Sequence, residues 1–181
     1  MKLVSFEHAK RTRFGVIADD GGIIDLTDKL GADVTSLRQA IAGNALDAIR
    51  KVEKHAKSDL AIDQVKLLPP IPEPGKIICI GAAYRNAKHK DGSQPLPRYP
   101  SIFLRIPRSF VGHRDNLIAP PESVQLDYEG EIGIVIGKAG RRISEQDAES
   151  HIAGLTVMNE GTVRDWLKHG NYGAPGKNFD A

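Results

Sequence analysis

The sequence predicts an α+β chain, rich in strands and built in two parts, and three observations predict it. Residues 127–137 alternate with a period of two, the mark of a strand with one apolar face. Residues 1–68 carry two further strand-like runs, a hairpin signal and two helix-like stretches, enough for a small α+β unit. Between the parts, Pro69-Pro70-Ile71-Pro72-Glu73-Pro74-Gly75 sets four prolines in six residues, which no helix or central strand tolerates. Residues 69–75 therefore read as a stiff linker between a unit of residues 1–68 and a unit of residues 76–181.

In the first unit, Lys2 to Phe6 and Phe14 to Ala18 read as strands, and Asp19-Asp20-Gly21-Gly22 before Ile23-Ile24 signals a hairpin. Ser36 with Gln39 three residues later is a capping-box pattern, and Gly43 closes that helix. Asn44 can cap a second helix with an apolar stripe of Ala45, Leu46, Ile49, Val52 and Ala56. His8 and His55 stand alone and read as surface positions. The unit reads as a cap or packing domain.

The second unit opens with a run expected to be a buried strand, Lys76 to Ile80, in which Cys79 reads as a buried, inert thiol. Small and polar residues from Gly81 to His89 follow directly, a position well suited to a site. Residues 91–100 read as a loop, Ser101 to Leu104 as a short strand, and Arg105 stands at its end. His113 follows a glycine and reads either as a turn residue or as a site residue.

The strand at residues 127–137 puts Gly130, Ile132, Ile134 and Ile136 on a face expected to enter the core. Glu129, Glu131, Gly133, Val135 and Gly137 take the other face. Two glutamates there are either an ordinary solvent-facing pair or the ligands of a cation that offsets their repulsion. The glycines that continue their face favour the cation. So does Glu160, which arrives just past the apolar run Ile152 to Met158 and just before Gly161. Three oxygen donors without Cys or His suit Mg²⁺ or Mn²⁺, then Ca²⁺, and argue against zinc. Farther on, Ser144 with Asp147 caps a short helix expected to end before Gly154. Thr162 to His169 reads as another helix, closed by Gly170, with Asp165 a dipole or Arg164 partner. Lys177 sits in a glycine-proline turn, where lysines are usually solvated.

Composition excludes several classes. At 181 residues, 40% hydrophobic and 27% charged, the chain is ordinary for a soluble globular protein. A net charge of +2 with scattered basic pairs gives no electrostatic case for nucleic acid. A single cysteine rules out an internal disulfide, no apolar run approaches a membrane span, and a cytoplasmic, reducing location is expected. Phosphate loop, dinucleotide fingerprint, zinc spacing and nucleophile elbow are all missing from the sequence.

From about Lys76 to Asp180 the chain resembles the fumarylacetoacetate hydrolase family. The resemblance rests on Ile80-Gly81 followed by Tyr84-Arg85, on Asp127-Tyr128-Glu129-Gly130-Glu131 running to Val135-Ile136-Gly137, on Asn159-Glu160-Gly161-Thr162-Val163-Arg164-Asp165, and on Gly176-Lys177-Asn178-Phe179-Asp180. It implies a mixed, rolled sheet, a homodimer, and Mg²⁺ or Mn²⁺ held by Glu129, Glu131 and Glu160. It implies small 2-oxo or 2-hydroxy-dienoate acids as substrates, Tyr84, Arg85 and Arg105 as substrate-binding residues, and Lys177 as the cation that helps carry enolate charge. The bacterial members it points to are relatives of 2-hydroxyhepta-2,4-diene-1,7-dioate isomerase and of acylpyruvate hydrolases, and aromatic catabolism is the implied setting. Hydrolytic members carry a water-activating histidine where this chain has Ala87, so His89 and His113 become the candidate bases. C–C hydrolysis of an acylpyruvate-type acid is the expected reaction. Isomerisation or decarboxylation of a hydroxy-dienedioate, or a non-catalytic binding role, are the alternatives. Family members continue beyond the Gly-Lys-Asn-Phe-Asp segment, so an incomplete sheet with an open edge and exposed apolar surface is expected.

Overall fold

The computed structural model describes every residue except 82, 85–89, 91, 96, 171, 172 and 181. The chain is strand-rich α+β, as its sequence predicts. It separates into two compact units, one of residues 1–72, 111–115 and 130–159, the other of residues 73–110, 116–129 and 160–181.

The first unit holds an antiparallel sheet of β1 (Leu3–His8), β2 (Arg11–Ile17), β3 (Ile23–Asp25) and β4 (Lys66–Leu67), in the order β3-β2-β1-β4. Against it lie α1 (Leu37–Ala42) and α2 (Leu46–Glu53). Phe14, Val16, Ile24, Leu26, Leu37, Ala40 and Ile49 form the core, with Ala45, Leu46, Val52 and Ala56 packed on it, so the predicted helical stripe faces inward. The Ser36 hydroxyl caps α1 by accepting from Gln39 N at 3.2 Å, while Gln39 Oε1 returns to Thr35 N at 2.9 Å instead of to Ser36 N. Asn44 does not cap α2. It sits in the left-handed region at φ 56°, and Ala45 is the cap residue, without a side-chain bond. The β1–β2 turn has both central residues left-handed, Ala9 at 50° and Lys10 at 61°, as a two-residue hairpin requires.

The same unit contains the hairpin of β8 (Gly130–Ile136) and β9 (Ile152–Asn159), with α3 (Glu145–Ala148) between them. Here the expected core face is corrected. Ile132, Ile134 and Ile136 are exposed, at 60%, 56% and 64%, while Gly133 and Val135 are half-buried. Ile132 pairs with Val157 and Ile134 with Leu155, and these partners are exposed too. This sheet has two strands, and no second layer covers that side among the described residues. Ser144 caps α3 through Asp147 N as expected, but Gly154 lies inside β9.

The second unit pairs β5 (Ile78–Gly81) with β6 (Ser101–Leu104), and β7 (Leu126–Asp127) with β10 (Thr162–Val163). β5 is not the buried strand expected. Ile78 and Ile80 point outward and only Cys79 and Gly81 turn partly inward, the alternation of a strand covered on one face. The predicted helix over residues 162–169 is the short strand β10 followed by a 3₁₀ helix, Arg164–His169. α4 (Ala174–Lys177) follows. No helix among the described residues is long and apolar enough to cross a membrane.

Candidate active site

Glu129 lies one residue before β8 and Glu160 one residue after β9. The ladder of that hairpin pairs Gly130 with Asn159 and continues through Glu160 N, which donates to Glu129 O at 2.7 Å. The ladder thus sets the two glutamates side by side. The Glu160 side chain is 6% exposed and that of Glu129 is 21% exposed.

Lys177 closes the arrangement. Its Nζ donates to Glu129 Oε1 and to Glu160 Oε2, each at 2.7 Å, and its side chain is buried. Of the two sequence readings of this lysine, a solvated turn residue or a cation beside a metal site, α4 excludes the first. Gly173 enters α4 at φ 71°, and a Cβ on Gly176 would stand 2.6 Å from the Val163 carbonyl oxygen, so glycine lets α4 touch β10. Asn178 then pins the end of α4 to β6. Its amide nitrogen donates to Leu104 O and Ala174 O at 3.0 Å, and its oxygen accepts from Ile106 N at 2.9 Å. The ammonium also stands 5.3 Å from the centre of the Phe103 ring.

Other groups complete the shell. Thr162 Oγ1, fully buried, donates to Glu129 Oε1 at 2.6 Å. Arg164 reaches Glu129 Oε1 at 3.0 Å and Asp127 Oδ2 at 2.9 Å. It does not pair with Asp165, whose Oδ1 accepts from Ser123 Oγ at 2.6 Å. Arg105 is buried. Its Nε donates to Ser109 Oγ and its Nη1 to Gly161 O, both at 3.3 Å, and Nη1 stands 3.5 Å from Glu160 Oε1. Cys79 Sγ donates to the same Oε1 at 3.1 Å.

The electrostatics follow from these contacts. Burial alone would raise the Glu129 carboxyl. Hydrogen bonds from Lys177 and Thr162, with the charges of Lys177 and Arg164, outweigh it and hold that carboxyl below its ordinary range. The Asp127 carboxyl is lowered chiefly by its bond from Arg164. The Cys79 thiol is pushed up to about 12 by burial and then by the adjacent Glu160 carboxylate.

Glu131 is exposed, two residues along the ladder from Glu129, and the division between the two units falls in mid-ladder at residues 129 and 130. Glu129, Glu131 and Glu160 each offer a carboxylate oxygen within 4.8 Å of the others. Three hard oxygen donors of one kind fit Mg²⁺ or Mn²⁺ and do not suit a soft ion. Lys177, Arg164 and Arg105 already offset much of the negative charge.

Of the other predicted residues, Tyr84 is 75% exposed and His113 is exposed. Arg85 and His89 lie outside the described residues, as does Ala87. Sequence reasoning missed Thr162, Cys79 and Asn178. Thr162 and Asn178 stood inside the matched segments next to residues that were singled out. Cys79 was assigned to the core, and nothing in its neighbours pointed to Glu160, 81 residues away.

Residues 76–181 match the family described as fumarylacetoacetate (FAA) hydrolase C-terminal. The oxaloacetate tautomerase YisK of Bacillus subtilis is 36% identical over 99% of this chain and 66% of its own length. Among solved structures, a probable 2-hydroxyhepta-2,4-diene-1,7-dioate isomerase of Mycobacterium abscessus superimposes with a TM-score of 0.71 at 32% identity, over 99% of this chain and 60% of that one. Maleylpyruvate hydrolase of Sphingobium sp. SYK-6, in complex with manganese (II) ion and pyruvate, gives 0.69 at 26%, over 91% and 60%. The chain spans about three-fifths to two-thirds of the length of the curated relatives that match 99% of it.

Proposed function

This chain belongs to the fumarylacetoacetate hydrolase family, and we propose that it serves a divalent-metal-dependent enzyme for a small 2-oxo dicarboxylic acid, with keto–enol proton transfer as its reaction. One observation carries the reading: a buried ammonium lies 2.7 Å from both Glu129 and Glu160, and Glu131 belongs to the same carboxylate group.

Glu129, Glu131 and Glu160 would hold Mg²⁺ or Mn²⁺, which supplies a Lewis acid for the 2-oxo group of a bound acid. The chain's own residues do the rest. When water takes a proton from the carbon next to the 2-oxo group, the C–H pair forms the C=C bond, the C=O pair moves onto the carbonyl oxygen, and that oxygen takes a proton back from water to give the enol. Lys177 Nζ is a fixed positive donor for that oxygen, and a fixed donor reorganises little as charge develops. Thr162 and Arg164 keep Glu129 aimed and ionised, so Lys177 retains its partner. The Phe103 ring borders the ammonium at 5.3 Å.

Two considerations favour tautomerisation over the C–C hydrolysis expected from the sequence. The family resemblance puts Ala87 where hydrolytic members carry the water-activating histidine, and proton transfer needs no attacking water. Oxaloacetate tautomerases are among the curated relatives that match 99% of this chain. The likeness to maleylpyruvate hydrolase supports hydrolysis as the second reading, since both reactions pass through an enolate.

The deciding experiment follows the decay of enol oxaloacetate absorbance with the full chain in EDTA and in Mn²⁺, beside product analysis with an acylpyruvate. Metal-dependent decay without pyruvate release supports the tautomerase reading. Pyruvate release from the acylpyruvate supports the hydrolase. Turnover of neither substrate, with Mn²⁺ bound, overturns both.

A further inference from the structure

We infer that Cys79 is a positioning residue for Glu160, holding one carboxylate oxygen so that the other faces Lys177. The inference rests on the reading of Glu160 as a metal ligand and adds to it the group that sets its orientation.

The two oxygens of Glu160 are divided between different partners. Oε2 accepts from Lys177 at 2.7 Å. Oε1 accepts from Cys79 Sγ at 3.1 Å and lies 3.5 Å from Arg105 Nη1. Arg105 is itself fixed by Ser109 and by the carbonyl of Gly161, the residue after Glu160. Its guanidinium therefore clamps the Glu160 segment from two sides, and the 7% exposure of its side chain leaves little surface for a substrate. Arg105, expected from the sequence to bind substrate, is better read as part of this clamp.

Cys79 adds the donor that Arg105 at 3.5 Å does not fully supply. It is placed by β5, where Cys79 pairs with Phe103 and faces partly inward while Ile78 and Ile80 face out. Cys79 is the β5 residue that hydrogen-bonds Glu160, and it carries an S–H. An S–H is a weak donor, but a carboxylate acceptor strengthens it, and the bond is part-buried. Partners of this kind, which touch the ligand and not the ion, typically change metal affinity about 10- to 100-fold when removed.

The test uses three variants of the full chain. Cys79→Ala removes the donor and leaves space; Cys79→Val removes it and fills the space; Cys79→Ser keeps a donor. None changes charge, so an electrostatic effect on cation binding is excluded. Mn²⁺ dissociation constants are measured from the free-ion electron paramagnetic resonance signal, with urea midpoints alongside. The expected result is Mn²⁺ binding weakened about tenfold in both Cys79→Ala and Cys79→Val, and restored to within about threefold of wild type in Cys79→Ser. Equal Mn²⁺ affinity in all four proteins overturns the inference, and so does a Cys79→Ser variant as weak as Cys79→Ala. If the wild type binds no Mn²⁺, the metal reading itself has failed, which is a separate outcome. An infrared measurement stands apart from metal binding and from the three Cys79 variants. The chain has one cysteine, so its S–H stretch is a single band, expected to move to higher wavenumber in Glu160→Gln. An unmoved band overturns the contact.

Discussion

Replacing Lys177 by methionine tests whether one ammonium holds two glutamates together. The change removes both 2.7 Å contacts while keeping most of the side-chain volume. Breaking a buried ion pair from one side costs about 3–5 kcal/mol. Here Glu129 keeps Arg164 at 3.0 Å and Glu160 keeps Arg105 at 3.5 Å, so part of the charge stays compensated. The expected loss is then about 2–3 kcal/mol in EDTA. With a urea slope of about 2 kcal/mol per molar, that is a midpoint lower by roughly 1 M. Trp166 is the only tryptophan and stands 5.2 Å from Phe179 in the unit that holds Lys177, so its fluorescence reports the right region. Mn²⁺ should still raise the midpoint in Lys177→Met, because the three carboxylates remain. Binding at a hundredfold excess over the dissociation constant adds about 2.7 kcal/mol. An unchanged midpoint in EDTA would refute the claim that the ammonium holds the pair. A midpoint that Mn²⁺ leaves unmoved would refute the carboxylate group as a cation site.

Gly176→Ala should lower the same midpoint by about 1–3 kcal/mol equivalent, since its Cβ meets the Val163 carbonyl at 2.6 Å and Leu167 at 2.9 Å. An unaltered urea curve would show that α4 can retreat without loss. Phe14→Ala empties the centre of the first core, where Phe14 is fully buried, and should cost about 3–5 kcal/mol, read by far-ultraviolet circular dichroism in urea. The Cys79 thiol, pushed up to about 12, should react with a disulfide reagent at pH 8 roughly a thousandfold more slowly in the native chain than in urea. The sign for stability follows: the native chain keeps this proton longer than the unfolded chain, so the contribution is present below about pH 8.5 and declines as pH rises toward 12. Equal labelling rates in buffer and in urea would contradict the burial of that thiol.

Much of the local structure was legible because short-range rules decided it. The Ser36 cap, the α2 stripe, the Ser144 cap and the alternating strand at residues 130–136 follow from side chains a few positions apart. The β1–β2 turn was less legible, since Ala9 and Lys10 are not the residues that favour left-handed φ, and the register of the two strands imposes it. The identity of the buried face was misread at β8. Alternation shows that a strand has two different faces, but burial depends on what is laid against each one.

For the site, residue types, their order along the chain and the family resemblance singled out Glu129, Glu131, Glu160 and Lys177. The partner of each oxygen was beyond reach of the sequence. Cys79 meets Glu160 across 81 positions, and Lys177 meets Glu129 across 48, through the pairing of β5 with β6 and the seating of α4 on β10. Periodicity along a chain carries no information about contacts between distant segments. Those are chosen when strands pair and a glycine lets two backbones touch, and here that choice buries Lys177 between two glutamates.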